Sequence, residues 1–213
     1  MDLEALIDRV HALVERGGRV VAIAGVPGSG KSTLAAALVH GYNAAWGAGR
    51  AEVLALDGFH LADEELARLG RSDRKGAPDT FDVDGYLAAL ARVRAREHDV
   101  LVPRFDRDRE TAIAGAVRIG TEVELVVTEG NYLLVDDGRW AEVRSLVDET
   151  WMLEPDDAMR VSALVARHER HGRSPEAALA WVRDVDEVNA RVVRERSSSP
   201  TLRFDPYRFH PHQ

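Results

Sequence analysis

Gly25-Val26-Pro27-Gly28-Ser29-Gly30-Lys31-Ser32-Thr33 is the stretch whose reading decides the fold. It fits G-x-x-x-x-G-K-[ST], a glycine loop whose backbone N–H groups cradle phosphates. The apolar, β-branched run Val20-Val21-Ala22-Ile23-Ala24 precedes it and predicts a buried strand. Leu34-Ala35-Ala36-Ala37-Leu38-Val39 follows it and predicts a helix, because such side chains lose little freedom there. Strand, loop and helix is the context in which this pattern builds a site. Gly25, Gly28 and Gly30 let the loop curl with its amides inward. A helix opening near Lys31 aims its positive end at the same point. Lys31 can set an ammonium against the outer phosphates of a nucleotide, and Ser32 can offer a hydroxyl to Mg2+. The plainer alternative is an ordinary capped glycine turn.

Lysine is otherwise almost absent. Of 28 basic residues only Lys31 and Lys75 are lysines. An exception to so strong a bias, placed in a phosphate loop, supports a role for the compact ammonium. Length and composition predict one soluble domain over residues 1–213, with 45% apolar and 30% charged residues. The formal charge of -8 argues against a broad nucleic-acid surface. Absence of cysteine excludes disulfides and thiolate metal sites. An acidic start, Met1-Asp2-Leu3-Glu4, and no run of membrane-spanning length predict a cytoplasmic protein without a membrane partner.

Leu3, Leu6, Ile7, Val10, Leu13 and Val14 form one stripe of a helix that Gly17-Gly18 ends. Further strands are predicted at Glu52–Leu56, Val123–Thr128 and Trp151–Leu153, with a short last one at Thr201–Phe204. Leu101–Asp106 and Ile113–Ile119 predict a hairpin, and Pro103 suits an edge strand. Asp82 caps a helix with the stripe Val83, Tyr86, Leu87, Leu90 and Val93. A long helix from Pro175 to about Arg196 is predicted to bury Ala178, Val182, Val185, Val188 and Val192. The alternation argues for an α/β fold of the P-loop NTPase type, a parallel sheet with helices on both faces, plus a small hairpin insertion and a helical lid. The lid is placed at about 156–175 and an acceptor-side insertion at about 58–120. The tail to Gln213 reads as loosely held.

In such a sheet, ligand groups gather at the carboxyl ends of the strands. Asp57 and Glu129 both stand there. One can hold the metal or its water while the other accepts a proton. Arg160, Arg167 and Arg170 share a helical face, and the first two could close over phosphates. His60, close after Asp57, is a candidate contact to a substrate hydroxyl or phosphate. The pairs His168/His171 and His210/His212 lack a carboxylate pattern and read as solvent-exposed.

The strings Asp57-Gly58-Phe59-His60, Arg74-Lys75-Gly76-Ala77-Pro78-Asp79-Thr80-Phe81-Asp82 and Glu129-Gly130-Asn131-Tyr132-Leu133-Leu134, joined to the phosphate loop, resemble the uridine kinase, phosphoribulokinase and bacterial pantothenate kinase group. Within it the chain most nearly resembles bacterial kinases labelled as fructose-transport-associated. The resemblance implies ATP and Mg2+ as cofactors. It implies Asp57 as the catalytic base, Glu129 as the acid near Mg2+, Lys31 and Arg167 as catalytic cations, and Arg160 as a nucleotide contact. It puts His60, Lys75, Arg104 and Tyr132 on the acceptor side. Two departures stand out: His60 where uridine kinases usually carry tyrosine, and Ala77 where they carry histidine before P-D-x-F-D.

The function expected is transfer of the γ-phosphoryl group of ATP to a hydroxyl of a small metabolite: a sugar, a nucleoside or another alcohol such as pantothenate. A monomer or homodimer is expected. The alternative is a regulatory P-loop NTPase acting on a protein partner. N-K-x-D, the guanine signature, is missing, and an acceptor-side His60 beside Asp57 is a feature that a switch has no use for.

Overall fold

The sequence alternates short apolar runs with longer amphipathic ones, and the computed structural model, which describes residues 2–206, builds a sheet from the first kind and two helical layers from the second. Helix α1 (Leu3–Glu15) leads to β1 (Val20–Gly25), then α2 (Lys31–Trp46), β2 (Ala51–Ala55), α3 (Asp63–Arg68) and α4 (Val83–Ala95). The hairpin β3 (Val100–Asp106) and β4 (Thr111–Ile119) comes next, then β5 (Leu125–Gly130), β6 (Glu149–Leu153), α5 (Asp157–Arg170), α6 (Pro175–Trp181), α7 (Glu187–Arg196) and β7 (Leu202–Phe204). The main sheet has five strands in the order β2-β5-β1-β6-β7, every neighbouring pair parallel.

Central strand β1 is buried along its whole length, as a strand covered on both faces must be. Alternation sends Val20, Ala22 and Ala24 into one core and Val21 and Ile23 into the other. Helices α1 and α2 cover the second face with Leu6, Val10, Leu13, Leu34, Leu38 and Tyr42. Helices α4 and α7 cover the first with Tyr86, Leu90, Ala190 and Val193. Each fully buried aliphatic side chain of this kind contributes about 1.5–3 kcal/mol. Asp82 caps α4 as expected, its Oδ1 accepting from Gly85 N at 2.9 Å, and Asp2 caps α1, its Oδ1 accepting from Ala5 N at 2.9 Å. Pro103 sits where the hairpin register shifts between Val102 and Arg104, so the missing N–H falls at an irregularity. Among the described residues no helix is long and apolar enough to cross a membrane.

The helix expected from Pro175 onward differs from its periodic reading. A π-helical turn, Val182–Asp186, interrupts it. One extra residue in a turn rotates the remainder of the helix by about 100°. Val182 and Val185 are buried as expected, but Val188 is 48% exposed and Val192 only partly covered. Asp186, Asn189, Ala190 and Val193 face inward instead.

Strand register sets the rim. Glu129 pairs with Ile23 on one side and Ala55 on the other. The phosphate loop and Asp57 each begin just past those partners, so the three carboxyl ends open together. Asp57 lies in a 3-10 turn, Leu56–Phe59, wedged under the hairpin. A Cβ on Gly58 would collide with the Pro103 carbonyl oxygen. That neighbour is backbone and cannot rotate away. Gly58→Ala is therefore expected to cost about 1–3 kcal/mol, read as a lower midpoint in urea, by pushing the hairpin off the Asp57 turn. An unchanged midpoint would show that the contact gives way freely.

Candidate functional site

The phosphate loop adopts the geometry its glycines permit. Gly28 and Gly30 have φ of 78° and 85°, and Gly30 is the N-cap of α2. Loop amides and the first turn of α2 open on a cavity of about 380 Å3. A shallower depression of about 280 Å3 shares Gly28, Lys31, Ser32 and Arg167 with it and also touches Thr33. Lys31 lies in the first turn of α2 and is 8% exposed. Its Nζ donates to the Val26 carbonyl at 3.0 Å and to Ser29 Oγ at 3.3 Å. Burial pulls its pKa down to about 8, against the opposing pull of Glu129 and Asp57.

Ser32 Oγ donates to Glu129 Oε1 at 3.0 Å. Burial, reinforced by the charge of Asp57, pushes the Glu129 carboxyl up to about 7. Hydroxyl and carboxylate oxygens are the donors Mg2+ takes, and that ion needs few protein ligands because it keeps waters and phosphate oxygens. The absence of any cluster of three or more His, Cys, Asp or Glu ligands among the described residues is compatible with such a site. These residues fit a phosphate-borne magnesium ion.

Across the cavity Asp57 accepts from Arg107 Nη2 at 2.9 Å through Oδ2. His60 Nδ1 lies 2.8 Å from the Asp57 carbonyl oxygen. A carbonyl only accepts, so Nδ1 carries the proton and Nε2 keeps its lone pair. Burial holds the His60 pKa below its usual value, so the ring is neutral. Arg167 enters from α5, half-buried, with no hydrogen bond or ion pair among the described residues. Burial and the neighbouring Arg107 charge hold its pKa down.

The cavity thus unites Lys31, Ser32, Asp57, His60, Glu129 and Arg167. Lys75 joins them at the rim, its Nζ donating to Asp63 Oδ1 at 2.6 Å and to the Glu110 carbonyl at 2.8 Å. Other expected residues lie elsewhere. Arg160 is fully buried behind the loop, its Nη1 donating to the Pro27 carbonyl at 3.2 Å and its Nε to Asp157 Oδ1 at 2.9 Å. Its third partner is Glu187. Arg104 is exposed on β3 and does not line the cavity. Tyr132 is fully buried, edge-on to Phe81, with its hydroxyl donating to the Gly76 carbonyl at 2.6 Å. Its aromatic ring serves the core beneath the rim.

Two corrections concern residues that sequence reasoning sets aside. His168 is not solvent-exposed: its side chain is 15% exposed, lines the cavity and pairs with Asp186 Oδ2 at 2.8 Å. His171 is exposed. His210 and His212, with the tail, lie outside the described residues. Arg107 escapes sequence reasoning altogether, because nothing in its local pattern distinguishes it from the surrounding arginines. Only the hairpin turn carries it over Asp57.

No family model matches the chain. A Schizosaccharomyces pombe protein named "Putative uridine kinase C227.14" is 27% identical over 207 residues, covering 93% of this chain and 88% of that protein. The ATP-dependent kinase-like protein notR' of Aspergillus versicolor is 30% identical over 152 residues, 66% of this chain and 88% of its own length. The crystal structure of a "putative fructose transport system kinase" from Silicibacter sp. TM1040 superposes with a TM-score of 0.85 at 37% identity, over 96% of this chain and 99% of that one.

A carboxyl whose pKa is raised by folding loses stability as it ionises, here as pH climbs from 4.5 towards about 7. Glu129→Gln removes that loss while keeping a partner for Ser32. The variant is expected to melt several degrees above the parent at about pH 7.5, with the gap closing at about pH 5. A gap that stays constant across this range would contradict the assigned burial of the charge.

Proposed function

This chain belongs to the P-loop kinase family of the uridine kinase and pantothenate kinase type, and we propose that it transfers the γ-phosphoryl group of ATP to a hydroxyl of a small metabolite. The observation that carries this reading is the placement of Asp57 and Lys31 on one cavity, with the phosphate loop on one wall and His60 on the other.

The roles come from position. Phosphoryl transfer asks mainly for alignment and charge stabilisation. Loop amides and Lys31 hold the phosphate tail, and the depressed pKa of Lys31 recovers when an anion replaces the carbonyl it now contacts. Ser32 and Glu129 would hold the magnesium ion and its waters. When bound, that ion would supply positive charge that offsets the negative charge of the phosphate tail. Of the two strand-end acids, Glu129 is sequestered behind Ser32 while Asp57 is part-exposed on the acceptor side. Asp57 is therefore assigned as the base that takes the acceptor's proton. Arg167 is assigned to the equatorial oxygens of the moving group, from a lid made of residues about 156–175.

Arg107 joins these cations. It lines both the acceptor cavity and the phosphate-side depression, and its charge is felt at Lys31 and at Arg167. Its bond to Asp57 keeps the carboxylate aimed until a phosphoryl oxygen competes for the guanidinium.

The reading is tested by incubating the protein with ATP, Mg2+ and uridine, cytidine, pantothenate, fructose or ribulose 5-phosphate while following ADP. With the acceptor that responds, Asp57→Asn is expected to retain ATP affinity and lose turnover by ~10²–10⁴-fold. Arg107→Ala is expected to lower kcat by ~10²-fold, whereas Arg104→Ala leaves it within about threefold. Normal turnover in Asp57→Asn would remove that residue from the role of base.

A further inference from the structure

Asp186 and Asn189 take no part in the phosphoryl-transfer roles assigned above, yet both line the cavity shared by Lys31 and Asp57. They are 7% and 4% exposed. Asp186 closes the π-turn Val182–Asp186 and Asn189 lies three residues further on, both facing inward with Val182 and Val185. π-turns are rare within α-helices and recur at functional sites.

Both side chains keep polar atoms without a protein partner among the described residues. Asp186 receives His168 on Oδ2, and its Oδ1 has no partner among the described residues. Asn189 makes no side-chain hydrogen bond among the described residues, although a Cβ on Gly76 would lie only 3.9 Å from its Nδ2. An amide without a protein partner on the wall of a cavity is free to bond a ligand that enters it. Residues three apart on a helix share a face, so the free carboxylate oxygen and the amide address neighbouring atoms of one ligand. A carboxylate only accepts, while an amide donates and accepts. A pair of adjacent hydroxyls matches this set: one O–H donates to Asp186 Oδ1, and the next oxygen accepts from Asn189 Nδ2. An anionic group at that end would be repelled by Asp186. Phe105 and Trp181 add flat apolar surface to the same cavity.

We propose that Asp186 and Asn189 are the acceptor-recognition residues, and that the acceptor is a polyhydroxylated molecule bound through an uncharged vicinal diol. The proposal rests on the kinase reading and adds the substrate class. Free sugars and ribonucleosides share this chemistry, and the test separates them.

The probes are matched sets in which a deoxy partner removes a candidate diol: D-fructose with 3-deoxy- and 4-deoxy-D-fructose, methyl β-D-ribofuranoside with its 2-deoxy analogue, and uridine with 2′-deoxyuridine. Pantothenate, whose hydroxyls are not adjacent, is the counter-example. One diol is expected to be phosphorylated, with kcat/KM for its deoxy partner at least ~10²-fold lower. In Asn189→Ala and in the isosteric Asp186→Asn, the loss is expected mainly in the KM for the diol, by ~10–10²-fold, with the KM for ATP unchanged and the deoxy discrimination collapsed. Calorimetric titration of each diol into the folded variants gives a readout independent of turnover. Preference for pantothenate, or discrimination that survives both substitutions, overturns the diol assignment while the kinase reading stands. Diol binding that is weakened by both substitutions, without ADP formation, supports the assignment and sinks the kinase reading. Neither binding nor turnover with any probe overturns both.

Discussion

The contact on which the site depends is the 3.0 Å hydrogen bond from Ser32 to the buried carboxyl of Glu129. It ties the first turn of α2 to the end of β5, and through the strand register it fixes the phosphate loop relative to Asp57. A carboxyl taken so far from water is unfavourable when ionised, and its raised pKa records that. Two apolar cores, one on each face of β1, supply the stability that offsets such a group. The rim can therefore hold poorly solvated residues, because the close-packed sheet beneath it cannot adjust to relieve them.

Two arginines on α5 show how the same residue type divides its labour. Arg160 spends its donors on Pro27, Asp157 and Glu187, so its charge is fully paired where water does not reach. Removing any partner would leave a buried guanidinium partly unsatisfied, a costly arrangement. Its effect is to clasp α5 against the back of the phosphate loop. Arg167, about two turns further on, projects into the cavity and keeps its donors uncommitted among the described residues. One side chain anchors the helix and the other lines the cavity. The planar fork of arginine suits both tasks, since each asks for several donors in fixed directions.

Much of the site is legible in one dimension because strand ends are. Lys31, Ser32, Asp57 and Glu129 each come soon after an apolar run, and a parallel sheet brings such ends together. His60 is legible for the same reason, being a short step from Asp57. Arg107, His168, Asp186 and Asn189 are not. Arg107 reaches Asp57 from a separate two-stranded sheet. His168 reads as exposed until its partner, eighteen residues on, folds back against it. Tyr132 errs the other way: it stands just beyond a site residue, yet its ring is packed into the core and its hydroxyl holds the loop at Gly76.

The order of apolar runs, the glycine loop between the first strand and its helix, and the acids at strand ends are properties of the chain itself. They determine a P-loop fold and half of its rim, because hydrogen-bonding backbone and side-chain periodicity act locally. Which side chains line the far wall of the cavity is decided only when distant segments pack. The hairpin must settle on the Asp57 turn, and a single π-turn must rotate the last long helix by one residue. Neither event has a periodic signature, since each is selected by the fit of surfaces far apart in sequence.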